Sequence, residues 1–435
     1  MTRNVIVVGG GIAGLAASIY LARGGRNVTL FEKKQNLGGR AITHLRHGFR
    51  FNLGPHVVYK AGVGAKIYRE LGVAVRGGVF RRAGLAVMNG ERHKLPISIL
   101  SILTTTLLHG KAKLEALSLL FRLRKLDTKP FEAMTLREWL DTNISDGRLR
   151  RAMESLFRAA TFSNDVRQSA ASALEQLKLI LRGLVYVDEG WQKLVDGLHS
   201  HAVSAGVNFI TSSRIVGVQF DSAVRAVEIG GLDPVREPKG TRLAVETVLL
   251  AVDPSTARGL VGNAPFTQPW GNLIAVTANC LDIALSRLPR PEPTFALSID
   301  RPLYMSVHSA YAQLTPRGGA MVHLAKYASE PEAVSYETFS VDSQRFDDES
   351  HRDEEELELF LDQLQPGWRE LVVHRRFLPG ITVSNALNRP QMARPSPETP
   401  IRGLYLAGDW VGDEGSLADA ALASARAAAK AILAA

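Results

Sequence analysis

Cysteine occurs once in 435 residues, as Cys280. A single thiol excludes an internal disulfide and fits a reducing compartment. No cluster of His and Cys has the spacing of a metal site, so no metal is expected. Internal repeats, low-complexity tracts and long linkers are also missing. So is any apolar run of the roughly 20 residues that a membrane-spanning helix needs. The longest apolar feature, Leu95 to Leu108, contains one Pro and five hydroxyl side chains. At the N-terminus, Met1 to Asn4 lead directly into Val5–Val8, which is too short for the core of a signal peptide. The expectation is a cytoplasmic protein that begins with a buried strand.

What is present suits a globular chain of two or three domains: 46% apolar and 22% charged residues. The net charge of +9 is uneven. Between Lys94 and Lys129 there are seven Lys and Arg against two acids. Two readings of this basic, apolar stretch stay open. It packs as an ordinary helix, or it lies peripherally on the inner face of a membrane with Lys111, Lys113, Arg122, Arg124 and Lys125 facing lipid phosphates. Nucleic acid is not expected as a partner.

The periodicity predicts a strand at Val5–Val8, a helix at Ile12–Arg23 and a strand at Val28–Phe31. From about Thr104 to Leu184 the pattern is helical, with a capping box at Thr135 and Glu138. Strand signals follow at 207–210, 215–220, 224–229 and 247–252. Others follow at 273–280, 295–299 and 305–310. A helix with an acidic first turn is predicted at about Asp353–Gln365, and the acids Glu349 to Glu356 read as its solvated start rather than a metal site. A strand at Gly403–Ala407 and an Ala-rich helix at Leu417–Leu433 close the chain. The fold class is α/β, a nucleotide-binding domain assembled from discontinuous segments with a mixed sheet and helical domain inserted. The boundaries expected are 1–75, 190–266 and 385–435 for the first, 76–189 and 267–384 for the second.

Gly9-Gly10-Gly11-Ile12-Ala13-Gly14 places Gly-x-Gly-x-x-Gly between an apolar strand and a helix. Gly9 permits the turn, Gly11 lets a pyrophosphate approach the backbone, and Gly14 lets helix and strand pack closely. The helix N-terminus favours the anion. Glu32, followed by Lys33, stands at the end of the next strand, where a carboxylate accepts ribose hydroxyls and disfavours a 2′-phosphate. These residues indicate a dinucleotide and leave NAD and FAD open.

Leu37-Gly38-Gly39-Arg40-Ala41 resembles the Gly-Gly-Arg extension of the flavin amine oxidase and phytoene desaturase superfamily. Gly403 to Trp410, followed by Glu414 to Ala421, resembles its C-terminal flavin signature. Phe51-Asn52-Leu53-Gly54-Pro55-His56 is similar to the segment beneath the flavin ring, with Asn where an acid is usual. Tyr186 to Leu194 resembles the family's return segment, with Glu189 replacing a glycine. The resemblance implies FAD as cofactor. Arg40 would reach the pyrophosphate, with Gly39 allowing close approach. Gly408 and Asp409 would hold the ribityl and phosphate end, Ser416, Leu417 and Ala418 the N1–C2=O edge of the ring, and the Ile215 backbone the adenine.

The same resemblance implies an oxidoreductase that transfers hydride from substrate to flavin N5, reoxidised by oxygen or a quinone. His56 is the candidate catalytic polar group, with a structural role as its alternative. Tyr304, Ser306 and His308 alternate on a strand-like run that faces either the flavin or solvent. Trp410 is either half an aromatic cage or packing. The apolar, basic insert favours a lipophilic, isoprenoid-type substrate as in phytoene desaturases. Amine oxidases, protoporphyrinogen oxidase and hydroxysqualene dehydroxylase are the alternatives. A non-enzymatic binder like the Rab GDP-dissociation inhibitors is the alternative of another class.

Overall fold

The protein is described by a computed structural model covering residues 3–80, 83–230, 241–262, 264–328 and 343–435, with side chains from 349 onward in the last stretch. Five parallel strands form one sheet, in the order Asn208–Ile210, Asn27–Phe31, Asn4–Val8, Val248–Leu250, Leu404–Leu406. Val5, Val7, Leu30 and Leu249 are buried on one face against helices, and Ile6, Val8, Val248 and Leu250 on the other against the strands Ile215–Phe220 and Val224–Ile229 and the helix Pro254–Val261. This is why the first strand reads as an unbroken apolar run. Each such buried side chain contributes roughly 1.5–3 kcal/mol. The helix Ile12–Arg23 lies against the closing helix Leu417–Ala434 in one core. Alanines at 420, 421, 425, 428 and 429 keep that contact thin. Arg3 Nη1 donates to the Ala435 carbonyl at 2.7 Å, so the two ends of the chain meet on this side.

A second sheet has seven strands, ordered Val372–Ser384, Val276–Leu285, Ala320–Tyr327, Leu303–Val307, Phe295–Ser298, Leu85–Met88, Glu91–Lys94. All neighbours run antiparallel except Leu85–Met88 beside Phe295–Ser298. Leu357, Phe360, Leu361 and Leu364 of the helix Ser343–Leu364 cover one face, against Leu281, Ile283, Met305 and Leu324. The other face meets a helical layer and the strand Phe49–Asn52.

Three expectations need correcting here. The strand read at 273–280 is Val276–Leu285. The one read at 305–310 is Leu303–Val307, with His308–Ala310 in a 3-10 turn. The helix begins at Ser343, ten residues before the predicted start at Asp353, so those acids are mid-helix rather than at a solvated start. Asp353 and Glu356 each lie 2.5 Å from Lys326 Nζ, Glu356 also pairs with Arg301, and Glu354 pairs with Arg375. Cations on the sheet, not the helix dipole, account for their positions.

The helical layer comprises Ile99–Thr104, Lys111–Lys125, Leu136–Asn143, Gly147–Thr161 and Ala170–Arg182. The Thr135 capping box forms in both directions, at 3.2 and 2.8 Å, and satisfies two backbone donors at the helix start. Leu95 to Leu108 is buried in part. Leu95, Ile102, Leu107 and Leu108 are buried, whereas Ile99, Leu100 and Leu103 are exposed. Leu114 and Phe121 on the next helix are exposed as well. Among the described residues no helix is long and apolar enough to cross a membrane, and no group of His, Cys, Asp or Glu is placed to hold a metal ion.

Candidate flavin cleft and active site

Strand Asn4–Val8 delivers the chain into the glycine turn, where Gly9 adopts φ 107°. A Cβ at Gly14 would lie 1.9 Å from the Gly9 carbonyl oxygen, so this position excludes any side chain. At Gly11 a Cβ would meet nothing within 4 Å, and Gly11 caps the helix without a side-chain acceptor. The first-turn N–H groups at Ile12 and Ala13 therefore face open space at the positive end of a helix, which fits a pyrophosphate. Glu32 is buried, its Oε2 accepting from Gly10 N at 2.7 Å and its Oε1 from Lys34 N at 2.8 Å. Ser213 N donates to the Glu32 carbonyl, which brings the segment leading to Ile215 beside this acid. The Ile215 side chain is core, while Lys33 is exposed.

The two ends of the sequence converge at Arg40 and Asp409. Arg40 Nη2 lies 2.9 Å from Asp409 Oδ1, and Arg40 Nη1 donates to the Val383 carbonyl at 3.1 Å. Gly38 and Gly39, at φ 119° and 56°, make the turn that presents Arg40. Asn385 donates to both Asp409 oxygens, at 3.0 and 2.9 Å. Burial works to raise the Asp409 carboxyl, but the Arg40 charge and the Asn385 bonds outweigh it and hold it below its ordinary value. Gly408 is at φ 157° and donates its N–H to Ser424 Oγ. Arg394 donates to the Asp409 and Gly415 carbonyls at 3.1 and 2.8 Å, bracing the loop between them.

At the start of the closing helix, Ser416 makes no side-chain cap and Leu417 sits at φ 57°. A left-handed non-glycine residue costs of order 1 kcal/mol or more and marks a constrained turn. The first-turn N–H groups, Ala418 included, are left for an outside acceptor, which fits a carbonyl carrying developing negative charge. A small cavity beside Ser416 and Leu417 is lined by Thr161, Gln168, Ser172, Gln176 and Asn388. Gln176 Nε2 is buried there without a partner.

The segment Gly54, Pro55 and His56 runs between these features and the second sheet. Gly54 is at φ 88°, with Ile381 against it. His56 Nδ1 lies 3.0 Å from the Gly54 carbonyl and its ring meets Trp191 edge-on at 4.7 Å. Burial, followed by the Arg40 charge, pushes its pKa down to about 4, so the ring is neutral at pH 7. Asn52, which stands where an acid is usual, accepts from Thr43 Oγ1 at 2.7 Å and Trp191 N at 3.0 Å. Glu189 adopts φ 63°, the conformation that makes glycine usual at its position.

Tyr304, Ser306 and His308 are buried, which corrects the solvent-face reading. Helices cover both sides of their sheet, so the alternation expected of a half-exposed antiparallel strand does not apply. Tyr186 OH lies 3.2 Å from Ser306 Oγ and 3.5 Å from Tyr304 OH, and Tyr186 packs on His308 at 4.8 Å. His323, Asp282 and Arg376 join the cluster unannounced. Trp410 lies elsewhere. It is fully buried against Trp270 and donates to the Val252 carbonyl at 2.9 Å, which is its packing role.

The family model described as flavin containing amine oxidoreductase matches residues 12–433. Over 68 residues the chain is 37% identical to a 4,4′-diaponeurosporene oxygenase of Staphylococcus aureus, spanning 16% of this chain and 14% of that relative. An oxidoreductase from Methanosarcina mazei shares its structure with a TM-score of 0.76 at 16% identity, over 100% of both chains. Putrescine oxidase bound to putrescine does so with a TM-score of 0.73 at 14% identity, again over 100% of both. At these identities the structural likeness is one of fold, whereas the family model covers nearly the whole chain. The chain belongs to the flavin-containing amine oxidoreductases.

Proposed function

We propose that the enzyme dehydrogenates a lipophilic, isoprenoid-type substrate drawn from an anionic membrane surface. The observation that carries this reading is the bare face of two neighbouring helices. Leu100 is 72% exposed and Phe121 54%, with Ile99, Leu103 and Leu114 beside them. Such clustering is unusual on a soluble protein and marks an interaction site. Lys111, Lys113, Arg122, Arg124 and Lys125 flank it on the same helix. Apolar area inserted among headgroups and cations near lipid phosphates together give peripheral binding. The diaponeurosporene oxygenase relative carries a carotenoid in its name, which supports the same substrate class.

When bound, FAD would supply a hydride acceptor at N5, with oxygen or a quinone as the final electron acceptor. In this reading the FAD domain comprises 1–75, 190–266 and 385–435, and the substrate domain 76–189 and 267–384. Gly9, Gly11, Ile12, Ala13 and Gly14 hold the pyrophosphate, with Gly39 and Arg40 closing over it. Glu32, Lys33 and the Ile215 backbone hold the adenosine. Gly408 and Asp409 hold the ribityl end, and Ser416, Leu417 and Ala418 the ring edge. Gly54, Pro55 and His56 line the ring, while Tyr304, Ser306 and His308 face the substrate. Burial in this cluster excludes water from the reacting atoms.

A second reading, oxidation of an amine, is favoured by the unpartnered Gln176 amide in the cavity beside Leu417, whose lining mixes hydroxyl and amide side chains with Val276, Ala386 and Leu387. Anaerobic bleaching of the flavin separates the two. Bleaching by 4,4′-diaponeurosporene in vesicles and not by putrescine is the expected result, and the reverse overturns the lipid reading. The protein is also expected to sediment with phosphatidylserine vesicles at low salt, less so at high salt.

A further inference from the structure

Four strands of the seven-stranded sheet bring one polar row into register. Arg376 stands opposite Asp282, Asp282 opposite His323, and His323 opposite Ser306. The row lies on the face turned toward the strand Phe49–Asn52. Arg376 stacks over Phe51 at 5.2 Å and donates to the Asn52 carbonyl, two residues before Gly54. Asp282 Oδ1 is 2.5 Å from His323 Nδ1, and Oδ2 is 2.5 Å from Arg376 Nη2 and 3.1 Å from Nε. Asp282 and His323 are 4% and 1% exposed.

A lone acid and a lone imidazole inside apolar strands are costly unless they are paired, and here they pair with each other. Burial works to raise the Asp282 carboxyl, but His323 and Arg376 outweigh it and keep it ionised. An ionised carboxylate only accepts, so the hydrogen of this bond is on His323 Nδ1, and in the neutral ring that tautomer leaves the lone pair on Nε2. That Nε2 is buried and has no hydrogen-bond partner. His308 stacks on the His323 ring at 4.9 Å, and burial holds His308 well below the ordinary imidazole value. Of the three imidazoles gathered here, His56, His308 and His323, His323 is the one bonded to a carboxylate.

We propose that His323 is the proton acceptor of the oxidation, with Asp282 and Arg376 as its positioning residues. The reaction removes one hydride and one proton from the substrate. The hydride leaves with its electron pair in the flavin reduction that the family performs. The proton comes off the neighbouring atom, whose bonding pair closes the new double bond, and binds His323 Nε2. The imidazolium so formed keeps Nδ1–H on Asp282, which neutralises it, and later yields the Nε2 proton as the oxygen or quinone acceptor takes up electrons and protons. The inference rests on the flavin chemistry of the family and holds for a lipid or an amine substrate alike.

Two measurements test it. In protein carrying isotope-labelled histidine, nitrogen chemical shifts report each tautomer, and loss of one signal in His323→Gln assigns it. The Nδ1–H form is expected in the wild type, with the other tautomer populated in Asp282→Asn. An Nε2–H form in the wild type overturns the proposal. In anaerobic bleaching with 4,4′-diaponeurosporene or putrescine, whichever reduces the wild type, His323→Ala is expected to slow the reaction on the order of 100-fold. Reduction by dithionite stays unchanged, and added imidazole restores part of the rate. An unchanged rate overturns the proposal, as does a loss that imidazole fails to restore and that comes with lower flavin retention. Should neither probe bleach the wild type, both substrate readings fail, and the tautomer measurement alone decides the dyad.

Discussion

The glycine turn draws its groups from six adjacent residues, Gly9 to Gly14. The polar row draws Arg376, Asp282, His323 and Ser306 from four strands, and Arg376 and Asp282 are 94 positions apart. A turn of adjacent residues is specified by backbone sterics, and a single Cβ decides whether it forms. A row across strands is specified by register, and a slip of one residue would turn every member to the opposite face. The first kind of site tolerates change elsewhere and fails at one atom. The second survives many local substitutions and fails when a partner is removed from a buried charge.

Gly14→Ala is the sharpest way to break the first. Its Cβ would press into the Gly9 carbonyl oxygen, and thermal unfolding is expected to show a loss of about 3 kcal/mol. Gly11→Ala points into open space, so the apoprotein should melt as the wild type does while purified protein loses flavin absorbance. Equal destabilisation by the two would erase the distinction between a packing glycine and a ligand-facing one. On the sheet, Arg376→Met removes one of two partners of a buried carboxylate, with an expected cost of about 2 kcal/mol. The Asp282 carboxyl lies below its ordinary value when folded, so its stabilising contribution is present above the unfolded carboxylate range and lost as pH falls. Denaturant titrations should therefore show the deficit shrinking toward acid pH.

The smallest effect returns to the cofactor side. Asp419, in the first turn of the closing helix, is raised to about 7 by burial, and its Oδ2 has no partner. A raised carboxyl stabilises the fold fully below its unfolded value of 3.8, and that contribution is lost as pH rises toward 7. Asp419→Asn removes the penalty but adds amide donors of its own. The expected result is a gain of about 1 kcal/mol at pH 8 that disappears near pH 4. A variant less stable than the wild type at pH 8 would show that Asp419 is a needed cap for Val63 and Gly64.

The cofactor half was legible because its signals are local. The glycine turn, Glu32, Arg40 and the closing helix each announce themselves within a few residues, and the helix Ile12–Arg23 has the limits that periodicity predicts. Asn385 and Arg394 escaped notice because they act on Asp409 from a loop without a pattern. The substrate half was less legible because strand register is invisible in a single sequence. Asp282 within Val276–Leu285 and His323 within Ala320–Tyr327 were each detectable as a lone polar residue in a buried strand. Nothing along the chain indicated that they face one another. The helix Ser343–Leu364 was read too short for a similar reason, since the partners of its acids lie on distant strands.

The ion pair between Arg40 and Asp409 also bears on how the enzyme is made. Gly9 to Gly14 are synthesised long before the fifth strand, Leu404–Leu406, and the helix after it. The nascent chain therefore holds an incomplete cradle through nearly the whole of its synthesis, with Arg40 waiting for its partner. On the reading proposed above, flavin capture has to wait for this segment, and a chain truncated before Asp409 would lack the residue assigned to the ribityl end of the cofactor.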